Sequence, residues 1–308
     1  MEPTAGGRAR RAGLLQISAA GVLWGTTGVV VQLVREHTAL GPVSIGFYRL
    51  AVAAVVLLAL QARQLPVLVA AVREQPVALV LLGVGLGTYQ ALYFVSVAAI
   101  GVSISTMVSL GVAPVCVAAW ESAAARQRPD RVTVGSLAGG VLGLVLITVA
   151  GGHTTTGARH PALGIVTAIL CGTGYAATTV LSRHVSQTTP AMTLTTASTF
   201  FGCLALLPLA LVGGLAFSPR AAPVGYLVFM GVVATAVSYL FFYAGLRTTS
   251  GSVAAVLTLL EPLTAAVLAV VVLGEPASAL EVVGGVILLG AISALYLTPR
   301  PPAAPVPV

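Results

Sequence analysis

One carboxylate stands inside an otherwise apolar stretch of the chain. Residues 252 to 272 read SVAAVLTLLEPLTAAVLAVVV, with Glu261 and Pro262 near the middle. A charge at the centre of a membrane-spanning helix costs about 2.5 kcal/mol or more. An acid kept in such a place is typical of a substrate or proton site, and the alternative is a structural carboxyl that is neutral or paired. We favour a substrate or proton site over a structural carboxyl, so a proton is a candidate partner of this protein.

Arg49 is the one other charged side chain placed deep in an apolar segment. It lies seven residues after Pro42, at a depth of about 10 Å for a helical rise of 1.5 Å per residue. An arginine near a helix end can extend its side chain to the membrane surface. Counted in the same way, Glu261 lies within about 6 Å of Arg49 in height. We therefore predict that the two side chains form a pair in a central cavity, directly or through water.

Aromatic residues also fall inside apolar segments rather than only at their ends. Core packing is one explanation, and an apolar cavity wall for an organic solute is the other. We expect the second role for part of this set, completed by a few polar or flexible side chains. The candidate substrate-binding residues are Trp24, Arg49, Tyr89, Tyr93, Met107, Tyr175, Tyr239, Thr258 and Glu261.

Two prolines inside apolar segments predict breaks in helical hydrogen bonding. Pro262 removes the donor that the carbonyl of Thr258 would use, and Pro114 does the same to Leu110. Freed carbonyls at membrane depth are tolerated where they face protein or a water-filled cavity. We predict hinges at Pro114 and Pro262, with kinks that only serve packing as the alternative.

The composition is that of an integral membrane protein. Of the 308 residues, 57% are hydrophobic and 7% are charged, against about 25% charged in soluble domains. The net charge of +7 comes from arginines between apolar segments, so nucleic acid is not an expected partner and the lipid bilayer is.

The three cysteines, Cys116, Cys171 and Cys203, lie in apolar segments and are interpreted as buried thiols. Two histidines, His153 and His160, do not complete a coordination shell, so neither a metal nor a cofactor is expected.

The apolar runs are long enough to cross a bilayer as helices. About 20 residues are needed for each crossing, whereas barrel strands would be half as long and alternating. The first run follows three arginines but is too long for a signal peptide, so we expect an uncleaved helix. Ten spans are predicted, at residues 12–34, 42–62, 76–100, 103–123, 131–151, 161–182, 190–214, 222–246, 252–272 and 279–297.

The placement of arginine predicts the orientation. With the N-terminus inside, 11 arginines fall on the cytoplasmic side, three fall outside, and Arg49 lies within a span. The positive-inside rule therefore predicts a multi-pass plasma-membrane protein with both termini in the cytoplasm.

The second half of the chain repeats the first. VLWGTTG at 22–28 aligns with ILCGTGY at 169–175, an offset of 147, and Pro42 and Pro114 align with Pro190 and Pro262 at 148. Each half holds five spans, and because five is odd the second half enters the membrane inverted. Inverted repeats are a transporter architecture, with the substrate site near the midplane between the halves. The predicted fold is thus an all-α integral membrane protein of ten transmembrane helices in two inverted five-helix repeats.

These stretches resemble the drug/metabolite transporter superfamily, specifically a tandem pair of EamA domains. The resemblance rests on LWGTTG, GPVSIGFYRLAVA, AIGVSISTMVSLGVAP, GLRTTSGSVAAVLTLLEPLTAAVLAVVVLGE and GGVILLGAISAL, and it covers about residues 12 to 298. The first half departs from it at ESAAARQRP, where the helix-end glutamate of LGEP is matched only approximately by Glu121. The implied domains are a basic cytoplasmic tail (1–11), the first EamA repeat (12–151), an external loop (152–160), the second repeat (161–297) and a Pro-rich cytoplasmic tail (298–308).

The resemblance implies a secondary transporter that exports a small organic metabolite, amino acid or drug by alternating access. An importer or exchanger of the same fold is an alternative. A membrane-embedded enzyme would need a nucleophile–base or metal constellation inside the spans, and a channel would need a filter loop or a ring of charges. The sequence displays none of these patterns, so both classes are minor alternatives and an enzyme is not expected. Substrate, coupling ion and oligomeric state stay open.

Overall fold

The computed structural model describes residues 5–150, 160–274 and 276–298, and these residues form helices joined by short turns. The predicted tail 298–308, except Thr298, and the loop 152–160, except His160, lie outside the described residues, as does Glu275. The helices are α1 (Ala5–His37), α2 (Pro42–Leu60), α3 (Leu65–Glu74), α4 (Pro76–Ile100), α5 (Val102–Ala125), α6 (Arg131–Ala150), α7 (Pro161–Val185), α8 (Ala191–Gly213), α9 (Ala221–Gly231), α10 (Ser238–Leu246), α11 (Gly251–Leu257), α12 (Leu260–Leu273) and α13 (Ala279–Leu297).

Ten helical segments in the described part of the chain are long and apolar enough to cross a membrane. They confirm the predicted spans. Most ends shift by a few residues, but the first helix begins at Ala5 rather than at residue 12, within the predicted tail 1–11. Pro42, Pro76 and Pro161 each occupy the first turn of a span, where the missing N–H costs no hydrogen bond. Large side chains point outward along these helices; Val212, for example, is 89% exposed. Such an apolar exterior is what a lipid-facing surface requires.

Short features interrupt the simple ten-helix pattern. The amphipathic helix α3 follows a 3-10 turn at Ala62–Gln64 and was not predicted. The eighth span consists of α9 and α10, joined by a π-helical turn at Val232–Val237, where the Thr235 hydroxyl donates to the carbonyl of Met230 at 2.8 Å. Turns of this kind occur often at functional sites.

The ninth span breaks, but not in the way that the proline predicted. Helix α11 ends at Leu257 and α12 begins at Leu260, so the break lies before Pro262. The carbonyl of Thr258 is not free, because it accepts the N–H of Glu261 at 2.9 Å. Pro262 thus stands in the first turn of α12, where a proline is tolerated. The prediction of an orphaned Thr258 carbonyl was wrong.

The repeat-related proline does not break its helix. Pro114 lies inside α5, which runs without interruption from Val102 to Ala125. A single lost hydrogen bond can be absorbed by a bend in a long, packed helix. The two prolines therefore occupy different local structures despite their matching positions.

The helix contacts that the first half makes with the second match those that the second half makes with the first. Helix α1 packs against α10 and α12 of the second half, and α7 packs against α4 and α5 of the first. Gly25 and Gly172 permit the matching close approaches: a Cβ at Gly25 would lie 2.6 Å from the carbonyl oxygen of Glu261, and one at Gly172 would lie 2.5 Å from that of Ser109. Helices α2 and α8 pack on each other, as do α6 and α13. The inverted five-helix repeats interlock, so any space between them is lined by both halves.

Candidate functional site

A cavity of about 360 Å³ lies between the two repeats. Helices α1, α2, α4 and α5 of the first half and α7, α9, α10 and α12 of the second line it. Its wall consists of Trp24, Gly25, Thr27, Gly28, Val31, Arg35, Pro42, Ile45, Gly46, Arg49, Tyr89, Gln90, Tyr93, Phe94, Val97, Val102, Thr106, Ser109, Leu110, Cys171, Gly172, Tyr175, Met230, Tyr239, Glu261, Pro262 and Ala265.

The cavity extends to one end of the bundle. Arg35 near the end of α1, Pro42 at the start of α2, Val97 near the end of α4 and Val102 at the start of α5 all line it. These residues flank the α1–α2 and α4–α5 turns, which lie at the same end. We call this end the mouth.

Four linked aromatic side chains form the deep part of the wall. The rings of Trp24 and Tyr239 lie 5.0 Å apart, and those of Tyr89 and Tyr175 lie 5.4 Å apart. The hydroxyls of Tyr89 and Tyr239 share a hydrogen bond of 2.7 Å, and that of Tyr175 donates to Thr258 Oγ1 at 3.3 Å. Because protein groups satisfy the tyrosine hydroxyls, hydrogen bonds hold these rings in place in the wall.

A fifth predicted aromatic, Tyr93, lies on the same wall. Its hydroxyl bonds to Thr106 Oγ1 on α5 at 2.8 Å. The neighbouring Phe94 also lines the cavity and packs against α2 at Gly46, where a Cβ would lie 2.8 Å from its ring.

Two opposite charges face the cavity without contacting each other. Arg49 Nη2 donates to Gln90 Oε1 at 2.6 Å, and Arg49 Nε is buried without a hydrogen-bond partner among the described residues. The side chain of Glu261 is partly buried and makes no hydrogen bond or ion pair in the described part of the chain. The predicted direct pair is therefore absent, because Gln90 on α4 orients the guanidinium instead.

Most of the predicted site residues come together at this cavity. Glu261, Arg49 and the five aromatic side chains line it, as does Pro262. Thr258 is only 3% exposed and lies behind Tyr175 rather than on the wall. Met107 and Pro114 do not line it, because the cavity face of α5 carries Thr106, Ser109 and Leu110 at helical spacing.

Cys171 is a wall residue that the sequence interpretation missed. We interpreted it only as a buried thiol, yet it lines the cavity beside Gly172. The repeat contained the signal: at the offset of 147, Trp24 aligns with Cys171 and Gly25 with Gly172. A cavity position in one half predicts a cavity position in the other.

The described residues contain no cluster of three or more metal-ligating side chains. The wall offers hydrogen-bonding groups and charged side chains. Besides Arg49 Nε, the hydroxyl of Thr27 is buried there without a partner in the described structure. Each is a group that a bound solute or water would satisfy.

Comparison with known proteins gives one match in each repeat. The model of the EamA-like transporter family matches residues 11–149 and 162–297. An uncharacterized transporter of Bacillus subtilis (strain 168), YwfM, is 27% identical over 91% of this chain and 92% of its own. An uncharacterized inner membrane transporter of Salmonella typhimurium, YicL, is 25% identical over 94% of this chain and 97% of its own. A protein of known crystal structure, 18% identical, shares the fold with a TM-score of 0.77 over 92% of this chain and 96% of that one.

Proposed function

Because the chain belongs to the EamA-like transporter family, we propose that it exports a small organic solute by alternating access through the cavity between its repeats. The observation that carries the proposal is the cavity itself, which both halves line and which has aromatic walls with two opposite, unpaired charges. Pockets for small molecules typically combine such apolar walls with a few polar groups. The volume of about 360 Å³ suits a solute of amino-acid size.

The charges favour a zwitterionic solute with an apolar body. Arg49 keeps an unused buried donor at Nε, which suits a carboxylate, and the Glu261 carboxylate suits an ammonium group. Trp24 and the tyrosine rings favour an apolar side chain and a nearby cation. Among the metabolites, amino acids and drugs that such transporters move, an apolar amino acid matches this combination of groups.

The proposed orientation of the mouth follows from the arginine bias. With both termini in the cytoplasm, the turns α1–α2 and α4–α5 lie outside, so the mouth opens to the exterior of the plasma membrane. In this conformation a solute carried outward would be released. Glu261 is the proposed coupling group: it exchanges a solute ammonium for an external proton, which returns inward on the carboxyl.

Binding can be tested with the tryptophan that lines the cavity. The chain has two tryptophans, and Trp120 is 58% exposed on the surface of the helix bundle, away from the cavity. A Trp120→Phe protein therefore keeps Trp24 as its single fluorescent reporter. Purified protein is titrated with leucine, with isopentylamine, which lacks the carboxylate, and with 4-methylpentanoate, which lacks the ammonium. The proposal expects a saturable change in fluorescence with leucine, and Kd values at least tenfold weaker for both analogues. Equal or tighter binding of the amine would show a cationic substrate and contradict the zwitterion.

A further inference from the structure

A polar cluster joins three segments at the end of the bundle opposite the mouth. Glu121, near the end of α5, accepts the N–H of Gly251 at 2.7 Å and that of Ser252 at 3.1 Å, at the start of α11. Arg183, near the end of α7, approaches the same carboxylate at 3.9 Å and donates from Nε to the carbonyl of Thr249 at 3.1 Å. Glu121 is thus the side chain through which α5 holds both α7 and α11. We call Glu121, Arg183, Thr249, Gly251 and Ser252 the latch.

An apolar layer lies between the latch and the cavity. Val117 on α5, Ala176 on α7 and Ala255 on α11 form one buried cluster, each at most 4% exposed. Gly251 connects the two layers, since a Cβ there would lie 3.0 Å from both Glu121 Oε1 and Val117 Cγ1. The close approach of α11 to α5 therefore depends on a position without a side chain.

The three segments carry the same sequence of layers from the cavity to the latch. Along α5 the order is Ser109 in the cavity wall, Val117 in the apolar layer and Glu121 in the latch. Along α7 the corresponding positions are Cys171, Ala176 and Arg183, and along α12 and α11 they are Glu261, Ala255 and Gly251. A solute in the cavity reaches this end of the bundle only if these segments separate.

The first repeat has an arginine that corresponds to Arg183, and this arginine lies at the mouth. Arg35 lies 148 residues before Arg183, the offset that also relates Pro42 to Pro190. Arg183 is 6% exposed and held by the latch, whereas Arg35 is exposed, lines the mouth and forms no ion pair within the described residues. Arg183 is thus held at the closed end, whereas Arg35 at the open end has no ion pair among the described residues.

We infer that Glu121 is the gate residue of the closed end: its contacts with Arg183 and the start of α11 must break before the cavity opens there. This inference rests on the proposed alternating access. Without the carboxylate, two N–H groups at a helix start lose their acceptor, and a largely buried guanidinium loses its ion-pair partner. The loss destabilises the conformation that is closed at the latch and open at the mouth. The equilibrium therefore shifts toward the conformation that is open at the latch and closed at the mouth.

The test follows the accessibility of both ends in one experiment. In a protein lacking the native Cys116, Cys171 and Cys203, a reporter cysteine is placed in the apolar layer (Ala255→Cys) or at the mouth (Val31→Cys). The detergent-solubilised full chain is then labelled with N-ethylmaleimide. In the parent protein we expect slow labelling at position 255 and fast labelling at position 31. With Glu121→Ala, labelling should become at least tenfold faster at 255 and slower at 31.

The matched control is Glu74→Ala, which removes a carboxylate from an exposed position on α3 and should change neither rate. If Glu121→Ala does not yield folded protein, Glu121→Asp keeps the charge but shortens its reach, and it should shift both rates in the same directions by a smaller factor. Unchanged rates in a folded variant would overturn the inference. Faster labelling at both positions would also overturn it, because that is general loosening rather than a reciprocal gate. The labelling needs no solute, so failure to bind leucine would count against the proposed substrate and not against the gate.

Discussion

Replacing Glu261 by glutamine keeps the shape of the side chain and removes its charge. The carboxylate has no hydrogen-bond partner in the described part of the chain, so the free energy of unfolding should not fall. A bound solute ammonium, in contrast, would lose a charge-assisted hydrogen bond, which contributes about 1.5–3 kcal/mol. That loss corresponds to a Kd for leucine that is about 10- to 150-fold weaker.

The assay is the fluorescence titration of Trp24 in the Trp120→Phe protein, read together with thermal unfolding of the same preparation. Binding of 4-methylpentanoate should stay unchanged or become tighter, because this analogue has no ammonium and the nearby negative charge is gone. A leucine Kd within twofold of the parent value would refute the assignment of the ammonium to Glu261. A large loss of thermal stability would instead show that Glu261 is a structural carboxyl.

The remaining predictions concern the other charge, the packing of the repeats and the orientation. Arg49→Gln should weaken the binding of leucine and of 4-methylpentanoate by the same factor, about tenfold or more in Kd, and the binding of isopentylamine should stay unchanged or become tighter in the same titration. Gly172→Val places a Cβ 2.5 Å from a backbone carbonyl oxygen of α5 and should cost about 1–3 kcal/mol of stability, seen as a lower Tm, whereas Gly135→Val on the open face of α6 should not. In a cysteine-free background, a cysteine at Ser218 should react with an impermeant thiol reagent applied to intact cells and one at Gln127 should not; the reverse pattern would invert the assigned orientation.

The sequence was sufficient for the fold because each of its signals is local or periodic. Runs of about 20 apolar residues define the spans, prolines mark several of their starts, and the matches of Pro42 with Pro190 and of Gly25 with Gly172 reveal the repeat. The short helix α3 and the π-helical turn were not predicted, because neither produces a long apolar run of its own.

The site was only partly predictable, because the faces of apolar helices carry little polarity. Met107 was chosen for its type, yet the cavity face of α5 passes through Thr106, Ser109 and Leu110. Residue counts along a helix predict the height of a side chain in the membrane, but they do not predict its lateral position. Arg49 and Glu261 both line the cavity. The guanidinium of Arg49, however, donates to Gln90 on a third helix and not to Glu261, with which a direct pair was predicted.

The most direct test of the proposed transport is counterflow in proteoliposomes. Purified protein is reconstituted, loaded with unlabelled leucine and diluted into a trace of radiolabelled leucine. The proposal predicts transient, saturable accumulation of label that excess leucine inhibits and that the Arg49→Gln, Glu261→Gln double variant lacks. Accumulation no greater than in empty liposomes, or a flux that rises linearly without saturation, would contradict a leucine carrier that works by alternating access.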